Sequence, residues 1–331
     1  MNKPSPPPPP PFVSVVIPAH NEATCIVDCI ESVFNSQYPK ERLEVLVVDH
    51  ASTDSTKMLA LNAGADVISL THGRIGKVRN TGLMAARGEY VAYVDADCLV
   101  PAQWLQSAIN ILVQTPSIGA VGGPCLSPGT GTWIEIGLAP RTVAHGIVRL
   151  AKTLATSSFV ARVSLLIQAG GFNEALISGE DDDISNRIRQ RGLTLAWASD
   201  CHIVHRGYPQ TWRDLVKKEI WHGSNHIDVR SGLDLTLILT VIFIFATVGF
   251  ILFIPLALMA PALPTIGGLI ASAILAVAPP ILYAIKRLRQ HPRDWRHFPH
   301  FVGVGFGYFL GHGLGTLENS WRRAIPKTQC K

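Results

Sequence analysis

The sequence predicts an α/β protein: a Rossmann-like, mostly parallel sheet with helices on both faces, followed by C-terminal transmembrane helices. Three observations carry this. Short apolar runs alternate with amphipathic stretches from Phe12 to about Leu126, which is the rhythm of β-α-β units. Runs such as Val45-Leu46-Val47-Val48 are apolar without alternation, as strands covered on both faces are. The 51 positions from 235 to 285 hold no Asp, Glu, Lys or Arg, more than enough to enter a bilayer.

Taken in order, the first eleven residues carry seven prolines between Pro4 and Pro11 and read as an extended, disordered polyproline tail. Val13 to Ile17 is the first strand, stopped by Pro18. Glu22 to Phe34 follows, with Ile26, Cys29, Ile30, Val33 and Phe34 at helical spacing. Val45 to Val48 is the second strand, and a helix from Asp54 ends near Gly64. Val67 to Leu70, a helix over 76–87, and Tyr90 to Val94 continue the alternation. Pro101 suits the first turn of a helix whose stripe is Trp104, Leu105, Ala108, Ile109 and Leu112, and Ile118 to Val121 closes the series.

Residues 127–160 are rich in Gly, Ser and Thr and read as a loop or flap. Helices are expected at Arg162 to Ala169 and Asp182 to Arg191, a strand at Leu195 to Ala198, and a basic, Trp-bearing helix from about Pro209 to His222. The organisation is therefore a tail over 1–11, a domain over 12–230 with halves 12–126 and 127–230, and a membrane region over 231–331. Its spans lie at about 235–260 and 265–285, separated by Pro261 and Pro264. A third apolar segment at about 298–317 contains six glycines and two histidines and is flanked by Arg322, Arg323 and Lys327. For it, a third crossing and an interfacial or re-entrant helix both stand.

Charged residues make up 16% of the chain against 47% hydrophobic, with a mean hydropathy of +0.25. That excludes a wholly soluble protein, a disordered chain, a collagen and a disulfide miniprotein. The net charge of +5 does not call for nucleic acid, because five Lys or Arg crowd between Lys286 and Arg296 beside the apolar segments. Such clusters mark the cytoplasmic side of a span. The six cysteines show no metal-finger spacing and are expected to be reduced cytoplasmic thiols.

In an open parallel sheet, ligands bind outside the carboxyl ends of the strands. Those ends present Pro18-Ala19-His20-Asn21-Glu22, then Asp49, then Asp95-Ala96-Asp97. Carboxylates gathered at one edge repel unless a cation or ligand lies between them. An Asp-x-Asp turn can hold a hard divalent ion that keeps positions open for phosphate oxygens. Asp49 to Asp54, with Ser52 and Thr53, can equally cap the next helix.

The segments Val15-Val16-Ile17-Pro18-Ala19-His20-Asn21-Glu22, Val47-Val48-Asp49-His50-Ala51-Ser52-Thr53-Asp54-Ser55-Thr56, Arg79-Asn80-Thr81-Gly82 and Gly88-Glu89-Tyr90-Val91-Ala92-Tyr93-Val94-Asp95-Ala96-Asp97 resemble the signatures of the family 2 glycosyltransferases. Gly170-Gly171-Phe172-Asn173-Glu174 and Gly179-Glu180-Asp181-Asp182-Asp183-Ile184 resemble the family's acceptor-side region. The resemblance covers about residues 12–225. It implies a GT-A fold, a nucleotide-sugar donor, a divalent metal (Mg2+ or Mn2+) and inversion at the anomeric carbon. It makes 12–126 the nucleotide-sugar half and 127–230 the acceptor half.

Carried over by residue, the resemblance places Pro18, Ala19, Asn21 and Glu22 along the nucleotide, and Asp49 on the base or ribose. Asp95 would face ribose and sugar, and Asp97 would hold the metal. Asp181 would be the general base, although Asp181 to Asp183 also suit a helix N-terminus. Some enzymes of this fold use a histidine where His205 stands as a further metal ligand; the alternative is a structural histidine. Arg79 would touch diphosphate or pair with a nearby carboxylate. Processive members of the family carry a Gln-x-x-Arg-Trp motif after the base, and here the helix reads Lys217-Lys218-Glu219-Ile220-Trp221. A single transfer is thus expected, to a glycan or lipid-linked acceptor in cell-envelope or exopolysaccharide assembly. The enzyme would be a multi-pass protein of the cell (inner) membrane with its catalytic domain in the cytoplasm. Alternatives are a polyprenyl-phosphate glycosyltransferase and a catalytically silent membrane scaffold.

Overall fold

The computed structural model describes residues 9–129, 131–139, 142–223, 235–290 and 292–324. Most of the proline tail, the boundary at 230 and Lys327 lie outside the described residues. The strands are β1 (Val13–Ala19), β2 (Leu43–His50), β3 (Asp66–Leu70), β4 (Tyr90–Val94), β5 (Cys98–Leu99), β6 (Ile118–Gly122), β7 (Cys125–Leu126), β8 (Val148–Ala151), β9 (Ser158–Arg162), β10 (Thr194–Ala198) and β11 (Ile203–His205). The helices are α1 (Ile26–Phe34), α2 (Thr56–Asn62), α3 (Ile75–Ala85), α4 (Trp104–Gln114), α5 (Trp133–Leu138), α6 (Val163–Gln168), α7 (Glu180–Gln190), α8 (Trp212–Gly223), α9 (Leu235–Met259), α10 (Leu263–Gln290) and α11 (Phe298–Ala324).

One compact unit comprises the chain up to Leu126, Thr142–Leu176 and Glu180–Gly207. Its main sheet runs β3-β2-β1-β4-β9-β6-β10-β8, and a small sheet runs β5-β11-β7. β1 pairs in parallel with β2 on one side and β4 on the other. Both faces are covered, as the unalternated strands require: Val13, Val15 and Ile17 enter one core and Val16 enters the other. Trp104, Leu105, Ala108, Ile109 and Leu112 of α4 are all buried in the first core, the stripe that their spacing predicts.

The stretch 127–160 is more ordered than its composition suggests. It contains α5 and β8, and β9 begins at Ser158 and runs antiparallel between β4 and β6. The sheet is therefore mixed. Polar residues obscure this strand in the sequence, yet they are satisfied inside it: the Trp104 indole donates to Ser158 Oγ at 3.0 Å, and Ser158 donates to the Cys201 carbonyl at 2.7 Å. Two helix starts also shift. α1 begins at Ile26 because Glu22 to Cys25 forms a turn, and α7 begins at Glu180, which puts Asp181 in its first turn.

The second unit comprises Ser127–Arg141, Ile177–Gly179 and the chain from Tyr208. α9 and α10 are long and apolar enough to cross a membrane, with mean hydropathy 3.0 and 2.0 in their most apolar windows. α11 is a single helix that does not meet that test among the described residues. Its glycines allow close approach: Gly311 lies against the backbone of Val216 and Glu219 in α8, and Gly305 against Pro280 in α10. The His312 ring faces Glu219 at 3.0 Å. The glycines and this histidine thus serve helix packing within the unit.

Candidate active site

The loops after β1 and β2 are locked to each other. Asn21 and Ala51 both adopt left-handed backbone, with φ of 56° and 52°, and such residues collect at functional sites. The Asn21 amide oxygen accepts from Thr53 N at 2.8 Å, and the Asn21 backbone N–H donates to Ser52 Oγ at 3.0 Å. Glu22 N–H donates to Thr56 Oγ1 at 2.7 Å. Within the segment Asp49 to Asp54 it is Asp54 that bonds the start of α2, its Oδ1 accepting from Thr56 N at 3.0 Å. Asp49 itself is buried, and its Oδ1 has no hydrogen-bond partner among the described residues. A buried acceptor left unpaired is costly, so this oxygen is suited to a ligand's donor.

A cavity of about 250 Å³ opens where the strands end, lined by Pro18, Ala19, Glu22, Asp95, Asp97 and His205 together with His20, His50, Ile75 and Val78. β11 brings His205 there from far along the sequence: its Nε2 stands 3.4 Å from Asp97 Oδ2. Burial, then Asp97, Asp95 and Asp54, push the Glu22 carboxyl up to about 7. Burial likewise raises Asp95, opposed by the Arg79 guanidinium. Carboxylates crowded into one partly buried space, two of them with raised affinity for protons, are the setting that a divalent cation neutralises. Oxygen and imidazole donors are also the right type. Asp97 is seated by a glycine, because a Cβ at Gly207 would overlap its Oδ2.

Deeper in the same unit, Arg79 is buried on α3. It donates to Glu180 and stands 3.4 Å from Asp95 Oδ1. Of its two expected roles, pairing with carboxylates is the one observed. Its neighbour Asn80 clamps the segment after α6: its amide donates to the Phe172 carbonyl and to Glu174 Oε1, each at 2.9 Å, and its oxygen accepts from Phe172 N at 2.7 Å. Gly82 lets α3 lie directly on Val16 of β1. Asp181 follows Glu180, and burial, then Glu180 and Asp182, push its carboxyl up to about 7. A carboxylate near neutral in affinity is matched to accepting a proton at physiological pH.

The cavity therefore gathers Pro18, Ala19, Glu22, Asp95, Asp97 and His205, while Asn21 braces its rim. Asp49, Arg79 and Asp181 lie outside its lining. His20 and His50 line it too; His20 Nδ1–H donates to the His50 carbonyl at 2.6 Å. Nothing in their spacing separates them from the other ten histidines, although their position at the carboxyl ends of two strands was available as a signal.

The family model "Glycosyl transferase family 2" matches residues 14–147, and "Glycosyl transferase family group 2" matches 90–285. Glycosyltransferase AglE of Haloferax volcanii is 31% identical over 232 residues, covering 66% of this chain and 74% of that protein. Pre-mycofactocin glycosyltransferase of Mycobacterium tuberculosis is 26% identical over 229 residues, 64% of this chain but only 46% of that longer protein. In fold, the chain is similar to mannosyltransferase PcManGT from Pyrobaculum calidifontis, solved with GDP-Man and Mn2+ (TM-score 0.59, 22% identity, 95% of this chain and 88% of that one). The sheet-bearing unit thus has the GT-A fold. From the family matches and the Haloferax volcanii relative, the chain belongs to the family 2 glycosyltransferases, enzymes that transfer sugars.

Proposed function

We propose that the protein is a membrane-anchored, metal-dependent, inverting glycosyltransferase that moves one sugar from a nucleotide-sugar to a hydroxyl of a glycan or lipid-linked acceptor. It would have its catalytic domain over 12–230, in the cytoplasm, and α9 and α10 in the cell membrane, and it would act in cell-envelope or exopolysaccharide assembly. The observation that carries this reading is the convergence of Asp97 and His205, 3.4 Å apart, in a cavity at the carboxyl ends of β1 and β4.

In this reading the Pro18 to Glu22 turn lines the nucleotide, and the unpaired Oδ1 of Asp49 accepts from its base or ribose. Asp95, held by Arg79, faces ribose and sugar. Asp97 and His205 hold a divalent ion, which when bound neutralises the charge growing on the departing diphosphate. Asp181 takes the acceptor hydroxyl's proton on its carboxylate as the new bond forms on the opposite face of the sugar. A lipid phosphate is already ionised at neutral pH and needs no such base, so the raised proton affinity of Asp181 favours a hydroxyl acceptor. Purified full-length protein, supplied in turn with different nucleotide-sugars and a divalent ion, should release free nucleotide from one donor class, faster with a hydroxyl-bearing glycan or glycolipid than with polyprenyl phosphate. The reverse acceptor order would establish the lipid-phosphate alternative.

A further inference from the structure

Cys98 directly follows the Asp95-Ala96-Asp97 turn, and its backbone partner in the antiparallel pairing of β5 with β11 is His205. Directly paired residues in such a ladder project to the same face. The consequence is a mixed donor cluster: a carboxylate oxygen of Asp95, Cys98 Sγ and a ring nitrogen of His205 all lie within 4.8 Å of one another. The same thiol stands 3.5 Å from Asp97 Oδ1 and is fully buried. A buried cysteine packs as a small apolar side chain, and Cys98 is part of the core beneath the turn; beside donors suited to hard Mg2+ and Mn2+ it adds a soft one.

We propose that Asp95, Cys98 and His205 form a second coordination mode of this cleft, which captures a soft divalent cation such as Zn2+ and thereby inhibits the enzyme. This rests on the reading that His205, with Asp97, holds the transfer metal. Sulfur, imidazole and carboxylate are the ligands zinc takes, with a fourth position open to water. Donor atoms around one zinc stand about 3.3–3.7 Å apart, so the cluster has to close by about 1 Å. As the Zn–S bond forms, the thiol proton passes to Asp97 Oδ1, 3.5 Å away, and from that cavity-lining carboxylate to solvent, and no electron is exchanged. Zinc outranks manganese at sites with nitrogen and sulfur donors. Because His205 belongs to both sets, the two occupancies exclude each other, and zinc inhibition is competitive with Mn2+.

Cobalt(II), a spectroscopic stand-in for zinc, tests this in the full-length protein in detergent under reducing conditions. The wild type should develop a near-ultraviolet thiolate-to-cobalt charge-transfer band that added Zn2+ bleaches. The band should be absent from Cys98→Ser and Cys98→Ala and retained in Cys125→Ser. Zn2+ inhibition, taken relative to each variant's own Mn2+-supported turnover, should weaken at least about tenfold in Cys98→Ser, the scale of losing a metal-site partner. X-ray absorption of the zinc-loaded wild type should report one sulfur ligand, a readout independent of how the variants fold. Cobalt binding without the band, a band that survives both Cys98 substitutions, or a zinc site without sulfur each overturns the proposal. An enzyme that needs Mn2+ but shows no band refutes this mode alone. A band in an enzyme indifferent to Mn2+ refutes the transfer-metal reading and leaves the thiolate site standing.

Discussion

Arg79 and Glu180 form a buried ion pair, their side chains only 5% and 7% exposed, and the same guanidinium stands 3.4 Å from Asp95. One cation therefore neutralises both the carboxylate beside Asp181 and the first carboxylate of the Asp95-Ala96-Asp97 turn. Removing one partner of a buried pair leaves an uncompensated charge, which costs about 3–5 kcal/mol. Arg79→Ala should accordingly lower the thermal unfolding midpoint markedly and abolish turnover. Arg79→Lys should recover part of the stability but less of the activity, because a single ammonium cannot span two carboxylates as the guanidinium fork does. Thermal unfolding followed by tryptophan fluorescence, with turnover measured alongside, checks both.

The Asp181 carboxyl, pushed up to about 7 mainly by burial, sets opposite pH trends for activity and stability. A base works deprotonated, so turnover should fall as pH drops through about 7. The folded state binds this proton more tightly than the unfolded chain. Its stabilising contribution is therefore full below the ordinary carboxylate range and is lost as pH rises through about 7. Asp181→Asn should cut turnover about 100-fold or more, flatten that limb of the pH profile, and be more stable than wild type at pH 8. Turnover close to wild type would remove the base role.

Gly207 has no side chain to collide with Asp97, whereas a Cβ there would overlap the carboxylate oxygen nearest His205. Gly207→Ala should displace Asp97 and raise the Mn2+ concentration for half-maximal turnover about 10–100-fold. A cooperative unfolding transition retained in the variant would separate this from misfolding.

The two apolar helices α9 and α10 return the chain to its starting side if both cross. Reporter fusions at residues 230 and 292 should then give the same, cytoplasmic, location. Opposite locations would contradict the hairpin.

The sequence makes legible what depends on local periodicity. The alternation around Val13 to Val121 specifies strands and helices in the right order, and strand ends rich in Asp and Asn mark the rim of the cavity. Long-range placement is a different matter. β9 is a central strand, yet Ser157-Ser158 at its start looks like loop until the Trp104 indole supplies a partner. The pairing of His205 with Cys98 depends on register between segments more than a hundred residues apart, and no local pattern encodes it. Likewise, the glycines of α11 resemble an interrupted span in sequence, and only their contacts with α8 and α10 identify them as packing surfaces.

The most direct test of the central claim is release of nucleotide from a nucleotide-sugar by wild type and Asp97→Ala, each with Mn2+ and then with excess chelator. The wild type should release nucleotide with Mn2+, lose that release on chelation and recover it on re-adding the ion, and folded Asp97→Ala should release almost none under any condition. Undiminished release by Asp97→Ala, or by the wild type stripped of divalent ions, would contradict that claim.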